Sequence, residues 1–116
     1  MSAKPLNTGC YHFAVRIAKL SQTLQNERSE TVLSSKIIDC GTAIGFLVSE
    51  AEQDPNNNDY NKSTMQSGQK EAKQTLYWLK IIEGTGWIPE TLSFGLKSDC
   101  EILMGRIQLA TVGVNT

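Results

Sequence analysis

The sequence predicts an all-α protein: an up-down-up-down antiparallel four-helix bundle. Three observations point there. Apolar residues recur at alternating spacings of three and four in four separate segments. Gly, Pro and Asn cluster at only a few breaks between those segments. No stretch alternates apolar and polar residues as a half-buried strand would.

The first helix is expected near residues 8–26. Asn7 and Thr8 are good N-caps. Phe13, Ile17, Leu20 and Leu24 then form a stripe of helical period. The stripe fades in Gln25, Asn26, Glu27 and Arg28. Ser29 suits the cap of the next helix, with Glu30 in its first turn, where the helix dipole favours an acid.

The second helix, near 30–52, carries the strongest pattern. Leu33, Ile37, Cys40, Ile44, Leu47 and Ala51 make an unbroken bundle-core seam. Beside it runs a second seam of Ile38, Gly41, Gly45 and Val48. Two adjacent seams make the apolar arc wide, which predicts burial on a second side, against another subunit. Gly41 and Gly45, four apart, would let that backbone approach closely. Ile38, Gly41, Gly45 and Val48 are therefore the candidate oligomer interface.

The run Asp54, Pro55, Asn56, Asn57, Asn58 is the clearest loop. It leads into a third helix near 58–83, where Met65, Ala72 and Leu79 are seven apart with Thr75 and Leu76 between the last two. Gly84 and Gly86 stop it. Pro89 suits the first turn of a fourth helix near 89–113. There Leu92, Leu96, Leu103, Ile107, Ala110 and Val114 continue the alternation, with Asp99 or Cys100 at the missing step. Gly105 and Gly113 weaken this helix slightly. Helices of roughly 18–26 residues are about 27–39 Å long. Similar lengths joined by short connections pack up-down-up-down. Residues 1–116 form one domain, with about 1–7 and 114–116 expected to be disordered.

Composition narrows the function classes. The 116 residues are 40% hydrophobic, enough for a core without disulfides or metal. Eleven basic residues oppose twelve acidic ones, a net charge of -1, which argues against a dedicated nucleic-acid binder. Cys10, Cys40 and Cys100 are odd in number and widely spaced, and His12 is the sole histidine. That is neither a zinc framework nor a disulfide scaffold, and it suits a reducing compartment, so a cytoplasmic location is expected. The N-terminal residues lack the apolar stretch of a signal peptide. No apolar run approaches the roughly 18 residues of a membrane span, so no membrane partner is expected.

The candidate chemical sites are sparse. Glu50, Glu52 and Glu71 lack the Glu-x-x-His partners of a di-iron bundle, so no metal is expected. Cys40 lies on the core seam, where a free cysteine behaves as a small hydrophobe. No nucleophile is accompanied by a base, so no catalytic residue and no cofactor are expected. Lys62, Lys70, Lys73 and Lys80 fall within about 80° on helix three at 100° per residue. Such a stripe is first a solvated face and second a phosphate-binding surface, which Arg16 and Arg106 would extend. Tyr77, Trp78 and Trp87 read as core or interface anchors ahead of base-stacking platforms.

Three blocks of the chain match a known pattern. They are Phe13 to Ile17 followed by Leu20; Leu33 to Ala51, above all Gly41 to Gly45 and Glu50 with Ala51; and Lys70 to Ala72, Thr75, Tyr77 to Leu79 and Thr85 to Trp87. With these blocks the chain resembles the bacterial four-helix-bundle proteins encoded in intervening sequences of large-subunit ribosomal RNA genes, some labelled ribosomal proteins by historical naming. The resemblance implies a homopentameric ring of up-down-up-down bundles whose biochemical function is not established. A related branch, the accessory proteins of diversity-generating retroelements, comprises basic pentamers that bind nucleic acid and a reverse transcriptase. This chain has Asp39 where the family usually carries a basic residue and Leu47 where it usually carries Asn. No polar site is therefore carried over. The function expected is that of a non-enzymatic oligomeric scaffold or protein-interaction module. The alternative is sequence-independent nucleic-acid binding through the lysine stripe.

Overall fold

Ile17, Ile37, Ile44, Leu79, Ile82, Leu96 and Ile107 are fully buried, and they come from all four predicted helices. The computed structural model describes residues 5–113, with side chains through Thr111. The helices are α1 (Leu6–Arg28), α2 (Val32–Glu52), α3 (Asn58–Thr85) and α4 (Glu90–Gly113), within two residues of the sequence-based bounds. Among the described residues there is no strand. Leu6 and Asn7, expected to be disordered, already lie in α1. The other terminal residues of that expectation, apart from Pro5, and the seam position Val114 lie outside the described residues.

Each helix packs on two neighbours: α1 on α2 and α4, and α3 on α2 and α4. The short connections make successive helices antiparallel. The α1–α4 contact is the least extensive of the four.

The turns show which polar residues set the helix ends. Ser29 adopts a left-handed conformation at φ 52° and ends α1. The Glu30 N–H then donates to the Leu24 carbonyl at 3.1 Å. Ser29 therefore closes α1 and does not cap α2. The N-cap position of α2 is Thr31, and the preceding Glu30 serves its start with a carboxylate that accepts the N–H groups of Val32, Leu33 and Ser34 at 3.2, 3.0 and 2.9 Å. An acid there satisfies three of the four orphan donors of the helix start. Asn7 and Thr8 also do not cap: α1 starts earlier, after Pro5, with no side-chain cap. Gly86, at φ 72°, ends α3 as its sequence position predicts, whereas Gly84, also expected to stop the helix, lies inside it.

The two seams of α2 require a correction. Gly41 and Val48 are buried within the chain, and Ile38 and Gly45 are half-buried. A Cβ placed on Gly41 would lie 2.8 Å from Cγ2 of Ile17, and one on Gly45 would lie 3.3 Å from Cβ of Cys10. Both glycines thus receive α1. The other seam meets α3, where Gly68 sits against Leu47 and Ile44. A bundle helix has two neighbours, so two seams are its ordinary requirement. The close approach expected from a second subunit is made by α1.

By length and composition α2 would also cross a membrane, with a mean hydropathy of 1.4 over its most apolar window. In this fold α1 and α3 pack against it, with 33% of that stretch buried. A core helix passes the same test.

Candidate functional site

The lysine stripe lies on the outward side of α3. Lys70, Lys73 and Lys80 are exposed, and Lys62 is half-buried. Tyr77, 59% exposed, falls on the same arc between Lys70 and Lys80. Glu83, close in sequence to Lys80, turns to α4, where its carboxylate accepts from Lys97 Nζ at 2.8 Å. On the neighbouring helix, Lys36 Nζ stands 5.5 Å from the Trp78 ring centroid, within cation–π reach. Trp78 and Trp87 pack against the core, as anchors do. Tyr77 does not serve as an anchor within this chain.

Arg16 and Arg106 do not extend the lysine face. Both line a groove between α1 and α4. Arg16 is ion-paired with Asp99, joining residues 83 apart in sequence. Its Nη2 lies 3.4 Å from where a Cβ would stand on Gly95, while Arg106 Nη1 lies 3.0 Å from the same point on Gly9. Each arginine therefore rests over a glycine of the opposite helix. Charged side chains fill the thinnest seam of the bundle. With both partners 41% exposed, the Arg16–Asp99 pair adds no more than about 1 kcal/mol.

The thiols are inert by position. Cys10, Cys40 and Cys100 are all buried and free. Burial pushes the Cys10 thiol from 9.0 up to about 11, helped by the Glu52 charge and opposed by Arg106. It pushes Cys100 up to about 12, with nearby Cys40, Glu101 and Asp99 adding to the rise. Cys40 is also raised by burial, opposed by a hydrogen bond with Thr75. The Cys100 thiol donates to the Ala72 carbonyl at 3.3 Å. A thiolate nucleophile needs the opposite environment. Among the described residues, no three His, Cys, Asp or Glu side chains are placed to hold a metal ion.

Sequence reasoning missed the apolar surface. Tyr11, Phe46, Phe94, Ile102 and Leu109 are 61–74% exposed. Tyr11 and Phe46 flank a groove of about 240 Å³ between α1 and α2. Phe94, Ile102 and Leu109 lie within about 80° of one another on α4, opposite its buried side. Their spacing of eight and seven was a readable signal off the core seam.

These features define a class: a four-helix bundle that carries basic and aromatic side chains on its outward faces. Its fold and sequence resemble those of a crystallised protein of unknown function from the S23 ribosomal protein family of Bacteroides thetaiotaomicron VPI-5482. The TM-score is 0.88 at 29% identity, covering 92% of this chain and 98% of that one. No family model and no curated protein matches the sequence.

Proposed function

We propose that this chain is a non-enzymatic subunit of a homo-oligomeric ring in the cytoplasm, serving as a scaffold for a protein partner. The observation that carries this reading is the exposure of Tyr11, Phe46, Phe94, Ile102 and Leu109 in two clusters. Single exposed apolar residues are ordinary, but clustered ones mark association surfaces. The likeness to intervening-sequence proteins supplies the number five. Three buried free thiols fit a reducing compartment. Light scattering on the purified protein should give a mass near five times 12.8 kDa. A monomer at micromolar concentration would refute the reading, and another closed ring would refute only the number.

A second reading has its own support. Lys70, Lys73 and Lys80 are exposed around Tyr77, and Glu83 is engaged elsewhere. This face suits the phosphates and bases of a single-stranded nucleic acid, bound without sequence preference. A ring would repeat it and strengthen its field.

A further inference from the structure

We infer that the groove between α1 and α4 binds a small dicarboxylate whose two charges stand at opposite ends of a compact apolar body. This site is separate from the lysine face of α3 and does not depend on the oligomeric reading above.

Missing side chains open the groove. Gly9 on α1 and Gly95 on α4 lie along the thinnest seam of the bundle. Phe13 and Leu103, 2% and 4% exposed, give it an apolar floor, with Ile102 at the rim. At one end Arg106 lies over Gly9. Arg16, which lines the same groove, stands seven residues further along α1, about 10 Å at 1.5 Å per residue. A cation at each end of an apolar floor suits a ligand with an anion at each end. The volume of about 200 Å³ is below the roughly 300–1,000 Å³ of drug-sized pockets, so the apolar body is no larger than one ring. Past Arg16 the seam continues as a second depression lined by Lys19 and Leu92. The Arg16–Asp99 pair spans the two helices between the depressions and closes the first at that end.

The charged groups lining the groove are Arg16, Arg106 and Asp99, and His12 is the other titratable side chain there. Glu52 of α2 also reaches Arg106 with its charge. Neither acid exhausts its arginine, because a guanidinium carries five N–H donors in a fixed fork. Arg16 meets Asp99 through Nη1, while its Nη2 rests over Gly95, where no side chain crowds it. The Asp99 carboxylate shows which anion this end accepts. It is also a built-in competitor, and an easily displaced one, since both partners are 41% exposed.

The test titrates the full-length protein with three carboxylates, followed by calorimetry and by amide chemical shifts. Terephthalate carries its charges at opposite ends of one ring. Its isomer phthalate carries them side by side, and benzoate has one. Terephthalate is expected to bind once per chain at about 1 mM or tighter, with shifts at Gly9, Phe13, Ile102 and Leu103. Phthalate and benzoate should bind at least about tenfold more weakly, the worth of one charge-assisted hydrogen bond. Arg106→Gln and Arg16→Gln should each reduce terephthalate to the affinity of benzoate. Asp99→Asn should tighten terephthalate roughly two- to fivefold by removing the competitor, a gain that a purely structural ion pair would not give. Should Arg16→Gln lose its helical circular dichroism, Arg106→Gln and Asp99→Asn decide. Terephthalate binding weaker than about 1 mM overturns the site. Equal affinity for the three carboxylates overturns it too, as does an Asp99→Asn protein that binds no better than the wild type. Shifts confined to Lys70, Lys73 and Lys80 would move the anion to α3 and likewise overturn it. The mass of the wild-type assembly tests the oligomeric reading separately, so either can fail alone.

Discussion

A methyl group on Gly41 would stand 2.8 Å from Ile17 Cγ2, closer than packed carbon atoms come. Ile17 is fully buried and has little room to retreat. Gly41→Ala is therefore expected to destabilise the fold by about 1–3 kcal/mol through overpacking. Better helix propensity returns up to about 1 kcal/mol of that. Gly84 provides the contrast, because nothing lies within 4 Å of its Cβ position in α3. Gly84→Ala should gain about 0.5 kcal/mol, and thermal melting should rank the two variants on opposite sides of the wild type. A Gly41→Ala protein that melts no lower would show that α1 does not pack on this glycine. The cysteines allow a second measurement. All three should resist a thiol reagent at pH 8 in the native protein and react fully after unfolding. The native values for Cys10 and Cys100, about 11 and about 12, lie above the ordinary 9.0. Below pH 9 both states keep the protons, and these thiols add no pH dependence. Above it the unfolded thiols ionise first, so the native state binds more protons and stability falls as pH rises. The expected slope approaches 1.4 kcal/mol per pH unit per thiol, roughly, between pH 9 and 11. Stability that stays level there in denaturant titrations would contradict the burial of Cys10 and Cys100.

At the scale of a helix, α2 must satisfy α1 on one side and α3 on the other. Ile44 lies at the centre of the core seam and is fully buried. Ile44→Asp places an unpartnered carboxylate there, at a cost of several kcal/mol. That takes most of the roughly 5–15 kcal/mol holding a domain of this size, so the variant should be unfolded by circular dichroism. A variant that expresses and melts normally would displace Ile44 from the core. The helices themselves were readable because period and breaks are local properties. Thus α2 and α3 appear in the spacing of Ile37, Ile44 and Ala51 and of Met65, Ala72 and Leu79. The partner of each seam is not a local property. The spacing of Gly41 and Gly45 shows close approach, but only the fold shows that α1 is what approaches. The Arg16–Asp99 pair is likewise invisible to a periodicity argument, since it joins positions 83 residues apart. The lysines of α3 were found because charge at helical spacing is readable. The exposed apolar residues of α4 were missed because Phe94, Ile102 and Leu109 fall outside the core seam. With apolar residues on both its buried and outward sides, α4 has a weak amphipathic signal.

For the whole molecule, the open question is whether the outward face of α3 binds nucleic acid, and the physics of that face restricts the answer. Its basic groups are lysines, which neutralise phosphate without reading base edges. Binding, where it occurs, is expected to be independent of sequence. Three exposed lysines per copy set the salt dependence. If each meets one phosphate, affinity for duplex DNA should fall about 40-fold from 50 to 200 mM salt, and more if one strand spans adjacent copies. Tyr77 adds a second signature, because an exposed ring stacks on unpaired bases but finds none in a duplex. Tyr77→Ala should weaken binding to single strands by roughly 1–3 kcal/mol and leave duplex binding nearly unchanged. Lys70→Glu combined with Lys73→Glu should abolish both and leave the helical circular dichroism unchanged, since both side chains are exposed. Titrations of single- and double-stranded RNA and DNA at the two salt concentrations separate the terms. Affinity that survives physiological salt and the double substitution would exclude the α3 face. No affinity at low salt for any of the four nucleic acids would leave the protein-scaffold reading alone.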